Sequence, residues 1–178
     1  KYHKRIGNSK LSSFSDGWKH LRFMLLYSPL YLFLFPGLLL FGFGMFLMYH
    51  LYWGFPIFGF RFDYHPMFLA SLLLILGYQL VIFSLFAKTY AITHLGENSF
   101  TIGLVNRFLS IERAGLIGIL ILLFGVVIGV NILLIWFNSS FGVLNEIKNL
   151  IIALTLVVIG VQTVFSSFML SILGIKGK

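Results

Sequence analysis

Residues 116–137 read LIGILILLFGVVIGVNILLIWF, a run without one charged side chain. About 20 apolar residues in a helix that rises 1.5 Å per residue cross roughly 30 Å of hydrocarbon. Three further runs have the same character, namely Leu30–Tyr52, Pro66–Ala87 and Leu150–Leu173. The sequence therefore predicts an all-α polytopic membrane protein in which four transmembrane helices form two hairpins.

The composition supports a membrane protein over a soluble one. Hydrophobic residues make up 59% of the chain and charged residues 10%, against about 25% charged residues in soluble domains. The net charge is +8, and the basic residues that carry it lie beside the apolar runs. We therefore expect lipid phosphate, and no nucleic acid, as the anionic partner. The chain has no cysteine, which excludes disulfides and thiolate chemistry.

The distribution of basic residues predicts the orientation. Of the 13 Lys and Arg, only Arg61 and Lys148 lie in the two short loops that would share one side of the membrane. The other 11 (13 − 2) lie in the N-terminal segment, the central loop and the C-terminal tail. By the positive-inside rule, both termini are cytoplasmic, and we expect a bacterial or archaeal plasma membrane. Trp53 and Trp136 then lie at the outer ends of the first and third spans, on the side of the membrane away from the cytoplasm.

Two amphipathic segments flank the spans. Leu11, Phe14, Trp18, Leu21 and Leu25 share one face of a helix, which favours an interfacial helix over a surface helix of a soluble domain. A similar pattern from Phe100 to Ile111 predicts a second interfacial helix. The resulting segments are 1–10 (basic junction), 11–29 (interfacial helix), 30–87 (first hairpin), 88–115 (loop with the second interfacial helix), 116–173 (second hairpin) and 174–178 (tail).

An internal repeat relates the two hairpins. A shift of 83 positions places Trp53 on Trp136, Gln79 on Gln162 and Ser84 on Ser167 without a gap. Because each unit has two spans, the copies have the same orientation and are related by an axis along the membrane normal. Six glycines are expected to permit close helix contact: Gly42, Gly44, Gly77, Gly125, Gly129 and Gly160.

Three amides lie within the apolar spans, namely Gln79, Asn131 and Gln162. An unpaired amide is costly in hydrocarbon, so we expect all three to face protein. Interhelical hydrogen bonding is the favoured interpretation. A polar lining for a lipid head group or a substrate path is the alternative.

A complete active site is not apparent in this sequence. The five histidines share no metal-ligand spacing, and the five acidic residues are dispersed, so we identify no catalytic residue and no metal ligand. The best candidate for ligand chemistry is the basic stretch Arg5-Ile6-Gly7-Asn8-Ser9-Lys10. Arg5 can bind phosphate oxygens in a fork, and Lys10 adds a mobile charge. Generic attraction to anionic lipid remains open.

Residues 2–23, YHKRIGNSKLSSFSDGWKHLRF, resemble the junction between the catalytic and membrane domains of membrane-bound family 2 glycosyltransferases. These enzymes are the polyprenyl-phosphate sugar transferases similar to dolichol-phosphate mannose synthase. The resemblance implies that Arg5, Ser9 and Lys10 bind the phosphate of the lipid acceptor or the donor. It also implies that Trp18, Lys19 and Arg22 anchor the interfacial helix.

The resemblance further implies a preceding cytoplasmic catalytic domain that holds a nucleotide sugar and a divalent metal, Mg or Mn. The chain starts at Lys1, so we expect it to be part of a longer protein and inactive alone, with no cofactor of its own. Its implied function is membrane anchor and lipid-acceptor platform. The competing hypothesis is a stand-alone four-helix lipid flippase or small transporter, and a purely structural or oligomerising membrane module is a third. Homo-oligomerisation is open.

Overall fold

The computed structural model describes residues 16–21, 30–56, 59–60, 62–95, 111–142 and 146–175. A π-helical turn, Leu30–Leu34, leads into α1 (Phe35–Trp53). The other long helices are α2 (His65–Leu95), α3 (Ile111–Asn138) and α4 (Ile147–Gly174). Four helices of the described chain are long and apolar enough to cross a membrane. The predicted fold class, an all-α protein with four transmembrane helices, is confirmed.

The helices extend beyond the predicted spans. Helix α2 continues eight residues past Ala87, to Leu95, and α3 begins five residues before Leu116. Hydropathy detects the part of a helix that hydrocarbon can solvate, whereas the backbone hydrogen-bond ladder continues until a residue breaks it. No Gly or Pro occurs between Ala87 and Gly96, so the sequence has no early stop signal there.

The described residues that follow α1 and α3 make specific contacts where each hairpin reverses direction. Gly54 ends α1 in the left-handed conformation, with φ of 69°, and its N–H donates to the carbonyls of His50 and Leu51. After α3, the indole Nε1 of Trp136 donates to the Gly142 carbonyl at 2.9 Å. The two predicted belt tryptophans therefore differ, because Trp136 is hydrogen-bonded within its turn while Trp53 is exposed.

Close backbone contact at glycines holds each hairpin together. A Cβ added to Gly44 of α1 would lie 2.8 Å from the backbone nitrogen of Leu74 in α2. A Cβ added to Gly125 of α3 would lie 2.9 Å from that of Val157 in α4. Such approach maximises van der Waals contact, which drives helix association where lipid removes the hydrophobic term.

The glycine contacts confirm the repeat and correct its register. Gly44 faces Ala70, Leu73 and Leu74, and Gly125 faces the residues 83 positions later, Ala153, Leu156 and Val157. The glycines themselves are 81 positions apart (125 − 44), as are Gly37 and Gly118, which occupy a second equivalent pair of contacts. The ungapped alignment is therefore wrong in the first helix of each hairpin, because the contacting positions are 32 residues apart in the second hairpin (157 − 125) and 30 apart in the first (74 − 44).

Two of the six glycines that we expected at close contacts lie elsewhere. A Cβ added to Gly42 or Gly129 would meet nothing within 4 Å. The ungapped register had matched Gly42 with Gly125, whereas Gly44 occupies the equivalent position. Two residues turn a helix by about 200°, so Gly42 lies on the opposite side of α1 from this contact.

The two hairpins meet through α2 and α4, and the principal helix contacts run in the order α1, α2, α4, α3. Interhelical hydrogen bonds join Ser71 to Thr155 and Tyr78 to Thr163. The residue numbers rise together on both helices, so α2 and α4 are parallel. The predicted common orientation of the two copies is confirmed.

The contact between the copies is not a two-fold one. The repeat places Leu154 at the position of Ser71 and Leu72 at the position of Thr155. If a two-fold axis related the copies, Leu154 and Leu72 would therefore also be in contact. Those two side chains are instead 54% and 51% exposed. The copies therefore pack through different faces, in a heterologous contact between parallel helices.

Candidate functional site

The predicted phosphate element, Arg5, Ser9 and Lys10, lies outside the described residues, as does Arg22 of the predicted interfacial anchor. The neighbouring residues 16–21 are helical. Trp18 of this helix is 60% exposed, and Lys19 forms a surface ion pair with Asp16 at 3.4 Å. An exposed indole beside charged side chains suits a membrane interface. Interfacial anchoring by Trp18 and Lys19 stays a prediction.

A row of hydroxyl groups crosses the contact between α2 and α4. The Ser71 and Thr155 oxygens are 2.7 Å apart, and those of Tyr78 and Thr163 are 2.5 Å apart. Each α4 threonine donates its one hydrogen to its own helix, Thr155 to the Ile151 carbonyl and Thr163 to the Ile159 carbonyl. The α2 hydroxyls are therefore the donors in both interhelical bonds.

Sequence reasoning missed these hydroxyls. Ser71 and Tyr78 are seven residues apart on α2, and Thr155 and Thr163 are eight apart on α4, which places each pair on one helical face. That spacing was the available signal. It was not decisive because a hydroxyl in a membrane helix can bond its own backbone without any partner helix.

Gln79 and Gln162 flank the same contact. Gln79 follows Tyr78, and Gln162 precedes Thr163, in helices that run parallel. Neighbouring residues differ by about 100° around a helix, so Gln79 is rotated by that angle from Tyr78, and Gln162 is rotated from Thr163 by the same angle in the opposite sense. Because the two contact residues face each other, both amides lie on the same side of the plane through the two helix axes. Gln162 Oε1 is buried without a hydrogen-bond partner among the described residues, and Gln79 is half-buried. Both glutamines thus lie against protein, but the interhelical bonds are made by hydroxyls.

Asn131 does not face protein within the described chain, although we expected that it would. Its side chain is exposed on α3, and its Nδ2 donates to the Val127 carbonyl of the same helix at 2.9 Å. The reason is rotational, because the α4-facing side of α3 is defined by Gly118 and Gly125, and Asn131 is about 120° from Gly125. The amide therefore faces away from the bundle.

Polar contacts also join the hairpins at both ends of the bundle. At one end, the Lys148 Nζ of α4 donates to the carbonyl of Leu51 in the last turn of α1 at 3.0 Å. At the other, Thr93 Oγ1 of α2 lies 2.9 Å from the Leu173 carbonyl of α4 and 2.8 Å from His94 Nδ1. Lys148, predicted in a loop, thus lies in the first turn of α4 and ties it to the first hairpin.

The described residues hold no group of three or more His, Asp or Glu side chains that could bind a metal ion. Their acidic residues are Asp16, Asp63, Glu112 and Glu146, and none lies in the central part of a span. What the described chain offers is a bundle with a polar internal contact and apolar outer faces.

Fold and contacts define an integral membrane protein of four spans. Comparison with known proteins gives the family: residues 85–174 match the glycosyltransferase family 2 C-terminal transmembrane region, and the chain belongs to this family. It is also 37% identical over 174 residues to the low-salt glycan biosynthesis hexosyltransferase Agl6 of Haloferax volcanii. That alignment covers 97% of this chain and 42% of the relative. No solved structure matches.

Proposed function

We propose that this chain anchors a family 2 catalytic domain at the cytoplasmic membrane surface and presents polyprenyl phosphate to it as the sugar acceptor. The family match across residues 85–174 is the observation that carries this proposal. The chain spans less than half of Agl6, which leaves room for such a domain in a protein of that length. A transferase built this way brings a lipid acceptor and a water-soluble donor together at one surface.

The acceptor phosphate would bind at Arg5, Ser9 and Lys10. Arg and Lys offset phosphate charge, and a basic group at the bilayer surface can hold a head group while the lipid tail stays in the membrane. Lys10 immediately precedes the predicted interfacial segment. The divalent metal and the nucleotide sugar would belong to the catalytic domain.

The test is binding of polyprenyl phosphate to the chain in nanodiscs of neutral lipid. Replacing two full charges, with Arg5→Ala and Lys10→Ala, should weaken binding by roughly 10- to 100-fold, since each charge-assisted hydrogen bond contributes about 1.5–3 kcal/mol before solvent screening. The matched control is Lys176→Ala with Lys178→Ala, which removes the same charge from the C-terminal tail, another predicted cytoplasmic segment. Equal affinities of the two double variants would contradict a specific phosphate site.

The hydroxyl contact bears on the transporter hypothesis. Direct hydrogen bonds of 2.7 and 2.5 Å join α2 and α4 at two levels, which favours a closed packing contact over a polar path between the hairpins. A platform needs such a fixed bundle. A flippase whose lipid path runs between the hairpins would have to break both bonds in each cycle, so lipid scrambling by the reconstituted chain would favour that function instead.

A further inference from the structure

An exposed amide marks one face of α3. Asn131 is exposed within the apolar run 116–137, where the other exposed side chains are apolar. It lies six residues before Phe137, the end of the apolar run, which corresponds to about 9 Å of helix. A side chain as short as that of Asn does not reach water from this depth. Acyl chains offer no donor or acceptor, so any group of the amide that lacks a protein partner is unsatisfied against lipid.

The amide retains bonding capacity. A carboxamide has two N–H donors and an oxygen with two acceptor sites. One N–H is used on the Val127 carbonyl, and no other hydrogen bond of this side chain occurs within the described part of the chain. One donor and the Oδ1 acceptor remain. That pair is complementary to itself, since a second identical carboxamide can accept the donor and supply the acceptor.

A second copy of this chain brings that group to the same place. All copies insert in one orientation, because the same charge distribution directs each of them. Two α3 helices that meet about an axis along the membrane normal are therefore parallel and have Asn131 at equal depth. In such an isologous contact, each residue faces its own counterpart. A helix of an unrelated protein would have to supply a donor and an acceptor at the same depth. A second copy of this chain supplies both with its own Asn131.

The residues around Asn131 have the spacing of a helix pair. Stepping from Asn131 alternately by three and four residues reaches only exposed positions, which form the Asn131 stripe: Ile117, Leu120, Phe124, Val127, Asn131, Leu134 and Asn138. This is the repeat of a left-handed coiled coil, in which one buried polar residue fixes the register. The opposite side of α3 is already occupied, because Gly118 and Gly125 contact α4.

We propose that the chain forms a homodimer in the membrane through the Asn131 stripe, with reciprocal hydrogen bonds between the two Asn131 carboxamides. Other stripes on the outer face of α3 are equally apolar, so hydrophobicity alone does not select one. The carboxamide selects this stripe. The contact leaves α4 and the hairpin packing unchanged. It rests on the packing of α3 and is independent of the acceptor proposed above.

Single cysteines test the proposed contact directly, because the chain has no natural cysteine. Leu120→Cys, Phe124→Cys and Val127→Cys place a thiol on the stripe, while Ile119→Cys and Val126→Cys place one at exposed positions about 100° around α3 from Leu120 and Val127. Each variant is reconstituted at high lipid-to-protein ratio and oxidised with copper phenanthroline. We expect disulfide dimers from the three stripe positions and few from the two controls. Equal cross-linking at all five, or none at any, would overturn the proposed interface.

Substitution of the amide tests its role. In the Phe124→Cys background, Asn131→Leu should weaken dimerisation by roughly 10- to 100-fold, as expected for two intramembrane hydrogen bonds. Asn131→Gln keeps a carboxamide and should retain most of the dimer. Unfolding of each variant in detergent serves as the folding control, since Asn131 bonds only its own helix. Unchanged cross-linking in Asn131→Leu would refute the hydrogen-bonded pair.

Discussion

Replacing Gly160 by alanine tests the packing of the second hairpin. A Cβ at this position would lie 2.5 Å from the backbone nitrogen of Leu122 and 2.7 Å from its Cα. Ordinary van der Waals contact begins near 3.4 Å, so α3 and α4 would have to separate by about 0.9 Å (3.4 − 2.5). A gap of that size forfeits a quarter to a half of the attraction between contacting atoms.

The expected cost is about 1–3 kcal/mol, the range for overpacking a well-packed core. Alanine also favours the helix over glycine by about 1 kcal/mol in water, which partly masks the clash. Gly129→Ala is the matched control, because it makes the same chemical change on α3 where the new Cβ meets nothing within 4 Å. The difference between the two variants isolates the clash and corresponds to roughly 5- to 150-fold in the unfolding equilibrium.

The assay is reversible unfolding in mixed micelles of increasing SDS fraction, followed by far-ultraviolet circular dichroism and by tryptophan fluorescence. Gly160→Ala should unfold at a lower SDS fraction than Gly129→Ala. Trimming the neighbour with Leu122→Ala should not rescue Gly160→Ala, since the nearest atoms belong to the backbone. Equal midpoints for the two glycine variants would refute close backbone contact, and rescue by Leu122→Ala would show that a side chain is responsible.

Two further predictions concern the contact between the hairpins. In a double-mutant cycle of Tyr78→Phe and Thr163→Val, the hydroxyl pair at 2.5 Å should show a coupling of about 0.6–2 kcal/mol in SDS unfolding, and additive effects would contradict a direct bond. Lys148→Met keeps the apolar stem but removes the bond to the Leu51 carbonyl, so it should lower the free energy of unfolding by about 1–2 kcal/mol. The same substitution at Lys176, in the tail, should change it by less than about 0.5 kcal/mol.

Hydropathy was sufficient to predict the four spans, but it predicted neither the ends of the helices nor how they pack. The four apolar runs identify the lipid-soluble parts of α1 to α4, yet α2 continues to Leu95 through a segment in which apolar residues alternate with polar ones such as Lys88, Thr93 and His94. Glycine positions were informative only together with register. An ungapped comparison of leucine-rich sequence matches Gly42 with Gly125, whereas the contact of Gly44 with Leu74 shows that Gly44 is the equivalent residue.

The intramembrane polar residues show a similar limit. Cost arguments correctly indicate that an amide in hydrocarbon needs protein around it, since Gln162 is half-buried at the hairpin contact and its Oε1 is fully buried. The same argument fails for Asn131 within one chain, because composition does not specify the rotation of α3 about its axis. The predicted phosphate element at Arg5, Ser9 and Lys10 remains a sequence prediction.

Comparison of the two repeats shows where polar side chains occur in this membrane domain. Ser71 and Tyr78 of α2 bond α4, and their mates in the second copy, Leu154 and Val161, are apolar and exposed. On the α4 side, Thr155 is likewise polar and buried, while its mate Leu72 is apolar and exposed. In each of these pairs, the residue at the contact between the hairpins is polar and the residue on an outer face is apolar, because a polar group against lipid is costly.

Asn131 is an exception to that pattern. Its mate at an offset of 81 residues is His50, whose Nδ1 is buried and whose ring packs against Phe46 at 4.3 Å between centroids. The first copy therefore shelters its polar side chain, whereas the second leaves an amide on an outer face. If burial decides polarity at the other pairs, the same rule requires a protein surface over Asn131. A second copy, with its own carboxamide at the same depth, supplies that surface.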